Sequence, residues 1–404
     1  MKLARLSPAI LTLSALLATG CSPNPTTTIN PHPTPATCLA APSDGFAYSL
    51  TGYTVFMFTV NSCNGTLVST TPISVPTGYA EPQINSEQMV ADPLGRFAYV
   101  ANLVSNASDL STISSFTINP TTGVLTPTSP ATVPTGWFPQ AIAIDPKGRF
   151  VYTANSDDAT VSMFTINQTS GVLTPTSPAT VSTALPSQLL SDPSFITVDP
   201  TGQFVYVTDS LSNGAAVFMY TINQTTGLLT PTSPATVQTG GLPFGVKVSP
   251  NGAFAYVADN LAGNSTSAGV WEYTVNHTTG VLTPTTSVGI PAGANPTDVA
   301  IDPTSSFAYV VNRGDNTLSM YTIDPATANL TLNATTANPT GTIATAQQPF
   351  HADFGPNGKY LYVTNEEGPV SMYTVNRDGT LTSTGFTGIA TGALSTAFTI
   401  KPAQ

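Results

Sequence analysis

An aromatic-x-aromatic pair recurs seven times along this chain, at Phe46/Tyr48, Phe97/Tyr99, Phe150/Tyr152, Phe204/Tyr206, Phe254/Tyr256, Phe307/Tyr309 and Tyr360/Tyr362. First members lie 51, 53, 54, 50, 53 and 53 residues apart. A solenoid with one strand per turn needs a much shorter period, whereas four-stranded propeller blades repeat near this length. The stretch after each pair repeats as well, as VFMFTVN, SSFTIN, VSMFTIN, VFMYTIN, VWEYTVN, LSMYTID and VSMYTVN. The unit is clearest at residues 348–376 and just beyond. There a proline precedes a short apolar run (Ala352, Phe354), a Pro-Asn-Gly turn reverses the chain, and Tyr360-Leu-Tyr-Val-Thr-Asn reads as a second strand. Alternation from Val370 gives a third strand and residues 381–387 a fourth. One unit is a four-stranded antiparallel meander.

These repeats predict an all-β fold: a seven-bladed β-propeller of four-stranded antiparallel blades over residues 38–404. Its closure follows from an alignment of inner strands. Ser395-Thr-Ala-Phe-Thr-Ile-Lys-Pro402 matches Pro139-Gln-Ala-Ile-Ala-Ile-Asp-Pro146 and Pro349-Phe-His-Ala-Asp-Phe-Gly-Pro356, yet the chain ends there. The first blade begins directly at its aromatic pair, so the C-terminal strand is expected to join it and leave no open edge. Cys38-Leu-Ala-Ala-Pro42 competes for that place. From an inner strand, however, Cys38 would lie two strands from Cys63, beyond disulfide reach.

Ahead of the repeats, Lys2 and Arg5 precede an apolar run, and Leu17-Ala-Thr-Gly-Cys21 follows. Residues 1–20 read as a secretory signal. Their end resembles the lipobox of bacterial lipoproteins, in which Cys21 would be lipidated and become the mature N-terminus; an ordinary signal peptide cut nearby is the alternative. Residues 21–37, rich in Pro and Thr, read as an extended tether. This implies an exported protein in the periplasm or at the cell outer membrane, held to the membrane by its N-terminal lipid. With Cys21 so used, Cys38 and Cys63 remain and can pair in an oxidising compartment. Ten Lys plus Arg, scattered singly against 21 Asp plus Glu, exclude a phosphate-neutralising stripe and with it a nucleic-acid partner. The sequence shows neither a metal-ligand cluster nor a cofactor motif, Asp157-Asp158 being too few ligands for calcium. The chain is expected to be a monomer.

Most polar repeats are structural. The Asp-Pro-x-Gly aspartates (Asp92, Asp145, Asp199) and the Asn or Asp ending each second strand suit turns, and the Asn-x-Thr-x-Gly hairpins ask only for residues that tolerate positive φ. Function is sought where one blade departs from its siblings. His351 stands where other inner strands carry Ala141, Phe195, Gly245 or Asp298. Alternation places Gln88, Asp298 and His351 toward the channel near one mouth, with Lys247 and Asp353 one step deeper, where these two are expected to approach across the channel. Second strands return to the same face, so Glu366, Glu367 and Arg313 are expected to reach that mouth too.

Tyr362-Val-Thr-Asn365 is the literal motif of the YVTN-repeat and lactonase-type seven-bladed propellers, which the repeats resemble from about Pro42 to Pro402. That family includes 6-phosphogluconolactonases, muconate-lactonising cycloisomerases and many envelope proteins. In its lactonase-type members a Pro-x-His start, an Asn-Glu strand end and an Asn-Arg-Gly loop form the site. The resemblance carries these roles to His351, Glu366 and Arg313 as catalytic residues, with Phe350 where the family often has Arg and with the Asn-Arg-Gly blade preceding the His blade. Lys247, Asp353, Asp298, Glu367 and Gln88 would contact substrate. Two functions follow. Low charge and Thr/Ser-rich outer strands favour an envelope binding or scaffold module for a small molecule, surface protein or glycan; the alternative is a hydrolase that opens a small carboxylated lactone. Export argues against a cytosolic phosphogluconolactonase.

Overall fold

The computed structural model describes residues 43–77, 84–104, 111–184, 191–210, 215–260, 269–386 and 395–400. The signal, the tether, Cys21 and Cys38 lie outside the described residues. Each repeat forms one antiparallel sheet, and seven sheets make the ring. The strand Ser395–Ile400 pairs with Ser43–Thr51, Phe46 opposite Thr399 and Tyr48 opposite Ala397, so the last strand completes blade 1 as expected. Blade 6 carries an additional short strand, Thr342–Ala344, beside Thr317–Ile323.

The second strands form the core of each blade. Phe150–Asn155, Phe204–Asp209 and Phe254–Asp259 are buried along their whole length, because both faces of a second strand pack against neighbouring blades. Their aromatic pairs bind one blade to the next. The hydroxyls of Tyr48, Tyr99, Tyr152, Tyr206, Tyr256, Tyr309 and Tyr362 donate to the carbonyls of Gly123, Gly171, Gly227, Gly280, Ala328, Gly379 and Gly65, at 2.5 to 2.9 Å. Each acceptor ends the hairpin before the following blade's outer strand, and the bond from Tyr362 to Gly65 links the last blade to the first. The first aromatic of the pair lies against the same hairpin. Gly123 has a φ of 74°, and a Cβ there would run into the ring of Phe46. The hairpin glycines therefore do more than tolerate a turn, contrary to the sequence expectation: they make room for the neighbouring blade's ring.

A second interblade contact repeats on the third strands. The sulfurs of Met57, Met163 and Met219 accept the N–H of Leu125, Leu229 and Leu282 at 3.1 to 3.2 Å. In blade 5 the position is Glu272, whose buried carboxylate accepts the Leu330 N–H and the Thr285 hydroxyl.

Six inner strands share a register shift just after their leading Pro or Ser, spanning two residues in five of them, as at Pro296/Asp298 and Pro349/His351, and Pro243 to Val246 in blade 5. Such a bulge inserts an unpaired residue and re-aims the side chains around it. The inserted residues Gln140, Ser194, Phe244, Thr297 and Phe350 all turn toward the axis and line the upper end of the channel.

Candidate active site

The channel is divided by a waist. Above it lies a narrow vestibule lined by the bulge residues, with Phe244 and Phe350 packed edge to face at 5.4 Å between centroids. Below it is a chamber of about 190 Å³. Among the described residues, only Gln88, Phe195 and His351 line both spaces. All three come from the third position of their inner strands, the position at which the sequence departs most from repeat to repeat.

His351 is 6% exposed, and its Nδ1 lies 2.6 Å from Asp298 Oδ2 of the preceding blade. The same oxygen accepts the Ala352 N–H at 3.1 Å. Asp298 is 1% exposed and lines neither space. Burial alone would push its carboxyl up. The His351 imidazole and the Lys247 ammonium, with hydrogen bonds from His351 and the Ala352 N–H, outweigh burial and hold it below the ordinary carboxylate range. An ionised Asp298 fixes a proton on His351 Nδ1 and leaves Nε2 for another partner. Asp298 thus lies in the channel wall against His351, outside both spaces, although strand alternation places it facing the channel. The cause is local: Gly245 of blade 5 leaves the room, since a Cβ there would come within 2.9 Å of Asp298 Oδ1, and blade 7 supplies two donors.

Lys247 and Asp353 both line the lower chamber, in the register the sequence predicts. Lys247 Nζ lies 5.7 Å from the centroid of the Phe195 ring. The expected close approach does not extend to direct contact: among the described residues Lys247 forms no ion pair, although its charge acts on both Asp298 and Asp353. Gln88 reaches the waist and accepts the Ile142 N–H at 2.9 Å, the same interblade bond that Asp298 makes with Ala352.

Arg313, Glu366 and Glu367 do not join His351. Arg313 Nη2 pairs with Glu366 Oε2 at 2.6 Å and donates to Gln348 at 3.0 Å, while Gln348 donates to Glu367 at 2.8 Å. None of the three residues lines the vestibule or the chamber. The strand Tyr360–Glu367 runs two residues past Asn365, and Glu367 sits opposite Gln347, ahead of the inner-strand bulge. Arg313 and Glu366 pair with each other on the rim, above the level of His351, although Arg313 Nε stays buried without a partner among the described residues. Sequence reasoning missed the aromatic side chains of the waist and vestibule, Phe195, Phe244 and Phe350. Phe244 and Phe350 directly follow their strands' leading prolines, and Phe195 stands one position later, where the repeat gives no constant residue.

Cys63 lies in the turn between Thr54–Asn61 and Leu67–Pro76, partly buried, and its carbonyl accepts the Tyr360 hydroxyl at 2.6 Å. Among the described residues no group of His, Cys, Asp and Glu side chains is arranged to hold a metal.

The chain matches the lactonase seven-bladed β-propeller family over residues 41–186 and 184–393. It belongs to that family. A 6-phosphogluconolactonase of Pectobacterium carotovorum subsp. carotovorum (strain PC1) is 35% identical over 100 residues, a match that spans 23% of this chain and only 29% of that protein. Among solved structures, a putative 6-phosphogluconolactonase from Bacteroides uniformis superposes with a TM-score of 0.70 at 22% identity, covering 88% of this chain and 99% of the other. A periplasmic gluconolactonase from Pseudomonas aeruginosa gives 0.67 at 19% identity, covering 89% and 99%. At such identities these likenesses establish the shared fold of this lactonase-like propeller.

Proposed function

We propose that this protein is a lactone hydrolase working at the waist of its channel, in preference to an envelope scaffold. The observation that carries the reading is the His351–Asp298 dyad, which opens on a chamber wide enough for a small ring. Asp298 holds the imidazole, and His351 Nε2 takes a proton from water as that water attacks the lactone carbonyl. General-base catalysis of this kind contributes roughly 10²–10⁴-fold. Lys247 faces the same chamber and supplies the positive charge for a substrate carboxylate or for the oxyanion of the tetrahedral intermediate. Family membership supports the lactonase reading, whereas the scaffold reading rests on composition alone. Arg313 and Glu366, tied to each other on the rim, serve as a structural pair at the channel entrance in this scheme.

The test is a panel of small lactones, with and without a carboxylate, assayed with wild type and His351→Ala. Hydrolysis by wild type that falls at least 100-fold in the variant is the expected result. A wild type inactive on every lactone contradicts the reading. The same proposal includes export and lipid anchoring at Cys21, supported by the signal-like N-terminus. Cys21→Ser should be recovered as unprocessed precursor or in the soluble fraction; a wild-type protein whose N-terminus begins beyond residue 21 contradicts anchoring.

A further inference from the structure

The dyad accounts for the proton removed from water but not for the one that the departing ring oxygen needs. An alkoxide is a poor leaving group, and a group that protonates it as the C–O bond breaks must reach the substrate from the same chamber. Asp353 is placed for this. It lies two residues after His351 on the strand Gln347–Phe354, so both side chains project from one face, about 7 Å apart along the strand. Both line the lower chamber. One carboxyl oxygen of Asp353, Oδ1, accepts the Phe354 N–H at 3.0 Å; among the described residues Oδ2 has no hydrogen-bond donor. The remaining oxygen is available to carry a proton and present it to a ligand.

We propose that Asp353 is the general acid of this site, giving its proton to the ring oxygen of a lactone while His351 acts as the base. The proposal rests on the lactonase reading above and assigns to its second carboxylate a role distinct from that of Asp298. In the acyl step water adds to the carbonyl carbon and loses a proton to His351 Nε2. The bond from that carbon to the ring oxygen then breaks, the oxygen keeps the electron pair, and Asp353 supplies its proton. The products are a hydroxy acid, an imidazolium and a carboxylate. Transfer of the proton from His351 to Asp353 through chamber water restores both groups, and the new acid releases its own proton to solvent.

The electrostatics of the chamber agree with this division. Burial pushes the Asp353 carboxyl up, and Asp298 adds to the rise; Lys247, His351 and the Phe354 N–H oppose it without cancelling it. Asp298 is held in the opposite direction. Two carboxyls whose surroundings drive them apart are suited to separate acid and orienting roles. The charged groups facing Asp353 are Lys247 of blade 5, Asp298 of blade 6 and His351 on its own strand.

The test compares two cyclic substrates that differ in leaving group: δ-valerolactone, which departs as an alkoxide, and dihydrocoumarin, which departs as a phenolate and needs far less help from an acid. Asp353→Asn should lose about 100-fold or more on δ-valerolactone and less than tenfold on dihydrocoumarin, whereas His351→Ala should lose heavily on both. Equal losses on the two substrates in Asp353→Asn, with wild type active, overturn the proposal and leave the lactonase reading intact. A wild type inactive on both lactones, and on the wider panel, overturns the reading and the proposal together. A readout independent of turnover is the proton-binding difference between wild type and Asp353→Asn in potentiometric titration: a group titrating above the ordinary range of Asp is expected, and one titrating at or below it contradicts the assignment.

Discussion

Two rings of residues run around this molecule, and they differ in how they vary. In the interblade clasp the same tyrosine makes the same bond at all seven positions, with one acceptor changed from Gly to Ala328. At the third inner-strand position the seven residues are Gln88, Ala141, Phe195, Gly245, Asp298, His351 and Ala397, with little in common. A position that repeats reports what every blade needs in order to pack. One that varies is released from that need, and the channel waist is where chemistry can accumulate without cost to the fold.

The largest expected effect breaks the repeated ring outright. Deleting residues 394–404 removes the strand Ser395–Ile400, leaves the strand Ser43–Thr51 with an open edge and uncovers the neighbouring blades. Loss of the cooperative thermal transition near its wild-type temperature is expected; an unchanged melting curve would show that another segment closes the ring. A milder break is Tyr99→Phe. It removes one clasp bond and leaves the Gly171 carbonyl buried without its donor, at a cost of about 1–2 kcal/mol in denaturant unfolding.

The smallest effect sharpens the comparison, because Glu272 is a departure from the repeat that lies in an interblade contact and not at the waist. Burial pushes its carboxyl above the ordinary 4.5, against hydrogen bonds from Leu330 and Thr285 that pull it down. A carboxyl that binds its proton more tightly in the folded state than in the unfolded one costs stability as pH rises from its ordinary value through the raised one. Glu272→Met, which restores the residue of blades 1, 3, 4, 6 and 7, should raise the melting temperature at neutral pH by roughly 1–2 °C and flatten its decline above about pH 4.5. A lower melting temperature in the variant at neutral pH would mean that the two hydrogen bonds outweigh the buried charge.

The blades were legible because their signals are local: an alternating strand, a turn and a hairpin recur within some fifty residues. The clasp was visible only as two unrelated motifs, since Tyr99 and Gly171 are 72 residues apart and nothing in either segment names the other. The candidate site divides in the same way. Lys247, Asp353, Gln88 and His351 follow from strand alternation, which holds below the bulge. The expectation that Glu366 and Arg313 reach the mouth beside His351 came from strand direction and from family resemblance; both belong to segments above the bulge, where they pair with each other instead. Asp298 carried the correct strand position, but its partner was not foreseen. Its partner lies one blade away, and only the packing of blade 6 on blade 7 shows that its Oδ2 is engaged by His351 and Ala352 while Oδ1 is left buried without a donor among the described residues.

The claim that the waist works and the clasp supports is tested most directly by measuring lactone kcat/KM and thermal stability side by side in His351→Ala and Tyr99→Phe. Activity is expected to separate the two: His351→Ala loses at least 100-fold in kcat/KM and also melts earlier, since Asp298 is left buried without its partner, while Tyr99→Phe melts earlier by roughly 2–4 °C and keeps its kcat/KM. If instead Tyr99→Phe loses kcat/KM as heavily as His351→Ala, activity merely follows stability and the waist is one more packing contact.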